Sequence, residues 1–104
     1  MSVIRIKEFL EGSFAGSRKS GEKVREAIQK NFQKINNQGT TLDFVDIDMI
    51  TQSFGDEIIG IMTRVHGVEF IKNNIRLVNH NNEIKDILNY VVRYSKKHFN
   101  ENVA

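Results

Sequence analysis

The 104-residue chain has no cysteine, no proline and no tryptophan. Without cysteine it has neither a disulfide framework nor a thiolate zinc site, which fits a reducing compartment. No proline-bearing linker and no repeat divides it, so residues 1–104 read as one domain whose tail, from about residue 100 to 104, is frayed. Its apolar runs, such as Ile58 to Met62, fall far short of the roughly 20 residues that span a bilayer. No basic stretch leads into an apolar core and a cleavage site, so a signal peptide is not expected and the protein is expected in the cytoplasm. Nucleotide-binding glycine fingerprints, a Walker loop and a nucleophile elbow are missing as well. His66, His80 and His98 lack any metal-ligand spacing. No cofactor is implied.

What is present is an ordinary globular composition, 39% hydrophobic and 27% charged. A net charge of +2 is too small to argue for nucleic acid, but its distribution is uneven. Arg18, Lys19, Lys23, Arg25, Lys30 and Lys34 crowd the first third. Asp43, Asp46, Asp48, Asp56 and Glu57 follow with no intervening Lys or Arg, and Arg93, Lys96 and Lys97 restore positive charge near the end. Such asymmetry suits the steering of a charged partner, and it equally describes two solvated helices and an acidic loop.

Val3, Ile4, Ile6 and Phe9 predict a first strand, and Gly12, Ser13, Gly16 and Ser17 a loop. From about Ser20 to Ile35, Val24, Ala27, Ile28, Phe32 and Ile35 recur at helical spacing, with Asn36, Asn37 and Gly39 as the stop. A strand is expected over about Thr40–Val45, with Leu42, Phe44 and Val45 buried. A helix should begin near Ser53 and carry Phe54, Ile58, Ile61, Met62 and Val65 inward until Gly67 ends it. Val68 to Lys72 fit a short helical turn and Ile75–Val78 a third strand. Asn81 or Asn82 fits the cap of a last helix lined by Ile84, Ile87, Leu88, Val91 and Tyr94 or Ser95. This β-α-β-α-β-α order predicts an α/β fold: a small, mostly parallel or mixed sheet backed by helices, with right-handed crossovers and the strand C-termini along one edge.

The segment Thr41 to Gly60 carries the functional expectation, because a strand ending in polar residues before a helix N-terminus is where α/β domains place their sites. Ser53 with Asp56 has capping-box spacing, which makes Ser53 an N-cap worth roughly 1 kcal/mol. Ser53 is also a candidate phosphoacceptor, with Thr51 the other, although Asp56 and Glu57 in the same turn would repel a phosphate. Asp43, Asp46, Asp48, Asp56 and Glu57 compose a possible divalent-cation set, set against the ordinary occurrence of these acids in turns and first helical turns. Asp43 stands in an otherwise apolar strand and needs a partner, for which Arg18 is the expectation. GSFAGSRKSG beside a helix start has the composition of a phosphate cradle or a flexible loop. Tyr90, Tyr94, Arg93, Lys96 and Lys97 compose a possible nucleic-acid stripe, with Tyr94 placed on or near the buried face.

LDFVDIDMITQSFGDEIIG resembles the core motif of a STAS-like family of unknown function, in which an Asp-Phe strand end is followed by Ser-Phe-small-Asp-Glu opening a helix. Asp43-Phe44 and Ser53-Phe54-Gly55-Asp56-Glu57 are the distinctive pieces. Weaker likeness extends over GVEFIKNNIRLVN and back to Arg18, so Arg18, Asp43, Phe44 and Phe54 form the implied structural motif. The wider STAS group includes anti-sigma factor antagonists, non-enzymatic switches phosphorylated on serine by a histidine-kinase-like ATPase. Those proteins carry Asp-Ser-Ser-Gly where this chain reads Thr51-Gln52-Ser53-Phe54, and Gln52 stands at the phosphorylated serine.

The resemblance implies a STAS-like, non-enzymatic regulatory module that binds a protein partner, such as a histidine-kinase-like ATPase, through Gln52, Ser53, Asp56 and Glu57, with Phe54 as core anchor. Gly55 and Gly60 would admit another backbone or mark tight internal packing. Two other expectations follow from the residues. One is a divalent-metal-dependent enzyme or enzyme accessory built on the five acids; the other is a nucleic-acid-binding accessory of a phage-defence or mobile element.

Overall fold

The computed structural model describes residues 2–34 and 39–98. Three strands, β1 (Ser2–Arg5), β3 (Thr40–Asp43) and β5 (Ile75–Val78), form an all-parallel sheet in the order β1-β3-β5. Ser2, Thr40 and Ile75 stand in register at one end, and Arg5, Asp43 and Val78 at the other. Central β3 is buried along Thr40, Thr41 and Leu42, as a strand covered on both faces should be. A second parallel pair joins β2 (Phe14–Ala15) to β4 (Met49–Ile50).

Among the described residues there are five α-helices: α1 (Arg18–Phe32), α2 (Gln52–Gly55), α3 (Ile61–His66), α4 (Val68–Asn74) and α5 (Asn82–Lys97). A π-helical stretch, Asp56–Gly60, joins α2 to α3, and its flanking residues keep right-handed helical angles. Gln52 to His66 therefore run as one helix, which packs between α1 and α5. Phe54, Ile58, Ile59 and Met62 from this helix meet Val24 and Ile28 of α1, Leu42 and Phe44 of the sheet end, and Ile84 and Leu88 of α5 in one core. The α/β class and parallel sheet agree with the sequence expectation.

Boundaries differ in places. The first strand stops at Arg5 and gives way to a 3₁₀ turn over Ile6–Phe9, which buries Ile6. The expected 12–17 loop contains β2, because Asp48 and Thr51 donate backbone bonds to Ser13 and Ala15. α1 begins two residues early, at Arg18, with Ser17 as its cap; Ile35, Asn36 and Asn37, expected at its end, and the 100–104 tail lie outside the described residues. β3 ends at Asp43, so Phe44 is fully buried while Val45 is exposed rather than inside. Gly67 (φ 92°) closes α3, the expected short turn is helix α4, and Asn81 caps α5.

Candidate functional site

The β2–β4 pair sets two helix starts side by side. Ser17 caps α1 by accepting from Ser20 N–H at 3.1 Å. Thr51 caps the long helix: its Oγ1 accepts from Phe54 N–H at 3.0 Å and donates to Gly16 C=O at 3.0 Å. The expected Ser53 cap is therefore corrected to Thr51. The backbone hydrogen bond from Thr51 N–H to Ala15 C=O holds Thr51 in extended geometry at the turn into the helix, which leaves Ser53 inside the first turn.

Arg18 opens α1, where the helix dipole disfavours a cation. It is stabilised there by two carboxylates, its Nη1 donating to Asp56 Oδ2 and Glu57 Oε1 at 3.1 Å each. Those two bonds also hold the Arg18 guanidinium above its ordinary pKa. Arg25, seven residues on, donates to the Glu57 carboxylate and to the Glu57 carbonyl at 3.3 Å. Gly21 lies between these arginines on the same face. A Cβ there would stand 2.7 Å from Glu57 Cβ, so the close approach of the two helices requires glycine.

Asp56 faces the other way as well. Arg64 donates to Asp56 Oδ1 at 2.7 Å and Oδ2 at 3.3 Å, and to the fully buried Ser95 Oγ of α5 at 3.0 Å. Burial pushes the Asp56 pKa up, but the hydrogen bonds from Arg64 and Arg18 outweigh it and hold the carboxyl below its ordinary range. A side chain at Gly60 would strike Asp56 Oδ1 at 2.4 Å and Val91 Cγ1 at 2.8 Å. The bare backbone at Gly60 is the lane through which Asp56 and Arg64 meet.

Above this network lies an open cleft of about 600 Å³ lined by Arg18, Gln52, Ser53, Asp56, Arg64, Tyr90, Val91, Tyr94 and His98. Tyr90 and Tyr94 are 46% and 50% exposed, so Tyr94 is not on the buried face as its position suggested. The ring of Tyr94 lies against His98, centroids 4.5 Å apart.

A family model described as a STAS-like domain of unknown function (DUF4325) matches residues 20–85, more than half of the chain. The chain belongs to this STAS-like family. No curated protein and no solved structure gives a match.

In this STAS-like domain the expected site residues divide. Gln52, Ser53 and Asp56 meet at the cleft with Arg18, while Glu57 turns beneath it to Arg25. Arg18 does not pair with Asp43. Asp43 instead accepts from Asn79 Nδ2 at 2.9 Å and Val45 N–H at 3.0 Å, and these bonds lower its pKa. The five acids do not converge: Asp43 belongs to the sheet end and Asp56 and Glu57 to an arginine cluster. Among the described residues no group of three His, Asp or Glu side chains is placed to hold a metal ion. Phe44 and Phe54 are fully buried core residues. Gly55 and Gly60 serve internal packing, facing Val91 and Leu88 of α5.

Sequence reasoning missed Arg64, and it placed Arg25 only in a basic cluster, Ser95 only on the inner face of the last helix and Tyr90 and Tyr94 in a nucleic-acid stripe rather than at this cleft. One signal was available: Arg18-Gly21-Arg25 places a glycine between two cations on one helical face. Among the described residues no helix is long and apolar enough to cross a membrane.

Proposed function

We propose that this STAS-like domain is a non-enzymatic regulatory module that binds a protein partner through the cleft between the first turn of α2 and the C-terminal half of α5. The observation that carries this reading is the meeting of two half-exposed tyrosines with Arg18, Gln52 and Ser53 around one concavity. Tyrosine and arginine dominate the energetic centres of protein interfaces. Asp56 supports binding over catalysis, since a carboxylate held ionised by two arginines is a weak base. Asp56 and Glu57, expected to meet the partner directly, act in this reading by ordering Arg18.

A histidine-kinase-like ATPase is the partner that the wider STAS resemblance suggests. Ser53 is the better phosphoacceptor of the two candidates. Its hydroxyl makes no hydrogen bond to a described residue, whereas that of Thr51 is engaged as both donor and acceptor. The test is affinity capture from native cells with wild type beside Tyr90→Ala/Tyr94→Ala, both checked for native circular dichroism. A partner retained by wild type and reduced at least about tenfold on the variant, near 1.4 kcal/mol, is expected. Equal retention on both overturns the reading.

A further inference from the structure

We infer that the partner segment received by this cleft is acidic and presents a single carboxylate to Arg18. The inference rests on the protein-binding reading above and adds the chemistry of the partner. Arg18 is anchored to Asp56 and Glu57 through Nη1 alone. Its Nε and Nη2 make no hydrogen bond to any described residue, and its side chain is 55% exposed on the cleft wall. A guanidinium fixed at one nitrogen keeps a second pair of N–H donors in the planar fork that matches a carboxylate.

Arg64 has no comparable freedom, since both its terminal nitrogens are engaged by Asp56 and Ser95. Charge sets the valence of the guest. The lining holds Arg18 and Arg64 against Asp56, and beneath it Arg25 offsets Glu57, which leaves one positive charge. A carboxylate neutralises that charge. A phosphate dianion would exceed it, with Asp56 close by to repel the surplus. The exposed rings of Tyr90 and Tyr94 supply amphipathic surface for the flanking residues of the guest.

The test is a backbone-amide NMR titration of the full chain with three acetylated, amidated pentapeptides. Each has a central residue flanked by leucines: glutamate, glutamine or phosphoserine. The glutamate peptide is expected to move the amides of Arg18, Gln52, Ser53, Tyr90 and Tyr94 and to bind at least about fivefold tighter than the glutamine peptide. Arg18→Gln should abolish that preference while its other amide shifts stay in place. Equal affinity for glutamate and glutamine, no shifts at millimolar peptide, or a preference that survives Arg18→Gln overturns the inference. A phosphoserine peptide binding tenfold tighter than the glutamate one also overturns it. Failure here is distinct from failure of the binding reading: a captured partner sensitive to Tyr90→Ala/Tyr94→Ala but indifferent to Arg18→Gln sinks only the acidic guest.

Discussion

Arg64 clasps the carboxylate of Asp56 with both terminal nitrogens, although the two residues are eight apart on one continuous helix. In a regular α-helix that separation places side chains about 80° apart around the axis. The π-helical stretch between them absorbs one extra residue, so the pair behaves as if seven apart and falls on one face, within about 20°. The π-segment and Gly60 thus act together, one aligning the charges and the other clearing the path. Arg64 then reaches Ser95, which ties this helix to the tyrosine-bearing α5 and gives the cleft its floor.

Gly60→Ala should lower stability despite improving helix propensity. Alanine gains up to about 1 kcal/mol over glycine in a helix. Forcing a methyl against Asp56 and Val91, at 2.4 and 2.8 Å, works against that gain by about 1–3 kcal/mol. Urea melts should show a net loss of about 1 kcal/mol with an unchanged slope. Gly12→Ala, where a Cβ meets nothing within 4 Å, serves as the near-neutral control.

Thr51→Ala should cost about 1–2 kcal/mol, because it removes the helix cap and the bond to Gly16 together. Ser53→Ala should stay within about 0.5 kcal/mol of wild type. The reverse order would restore Ser53 as the cap. Mass spectrometry after incubation with a histidine-kinase-like ATPase that the domain binds should place phosphate on Ser53 and none on Thr51.

Acid should loosen the helix through Asp56. Its folded pKa lies below the ordinary 3.8, so the unfolded chain takes up the proton first as pH falls. The stability contributed by the ionised carboxylate is fully present above that value and is lost as pH drops through the folded pKa. Chemical denaturation at pH 7 and at steps below pH 4 should show Asp56→Asn well below wild type at neutral pH, with the gap closing in acid. Asp43, also depressed, remains in both proteins and cancels in the comparison.

Much of the architecture is legible in the sequence for physical reasons. α1 and α5 announce themselves through apolar residues at helical spacing, such as Val24 and Ile28, or Ile84, Leu88 and Val91, and Asn81 through its place ahead of such a stripe. The cap was misplaced because Thr51 and Ser53 are both competent and only the β2–β4 pairing, two residues per strand, decides between them. The expected Arg18–Asp43 pair rests on the need of a carboxylate in an otherwise apolar strand for a partner, a need that Asn79 meets instead. Charge pairing across 38 residues depends on how closely helices pack, and Gly21 sets that distance. Nothing in a local pattern marks a π-segment, so the alignment of Asp56 with Arg64 was out of reach.

The most direct measurement is titration calorimetry of the captured partner against three purified forms: wild type, Tyr90→Ala/Tyr94→Ala, and Asp46→Lys/Asp48→Lys in the acidic turn after β3. The account predicts a loss of at least about tenfold for the tyrosine variant and wild-type affinity for the acidic-turn variant. Wild-type affinity for the tyrosine variant with loss in the acidic turn would contradict it and move the recognition surface away from the cleft.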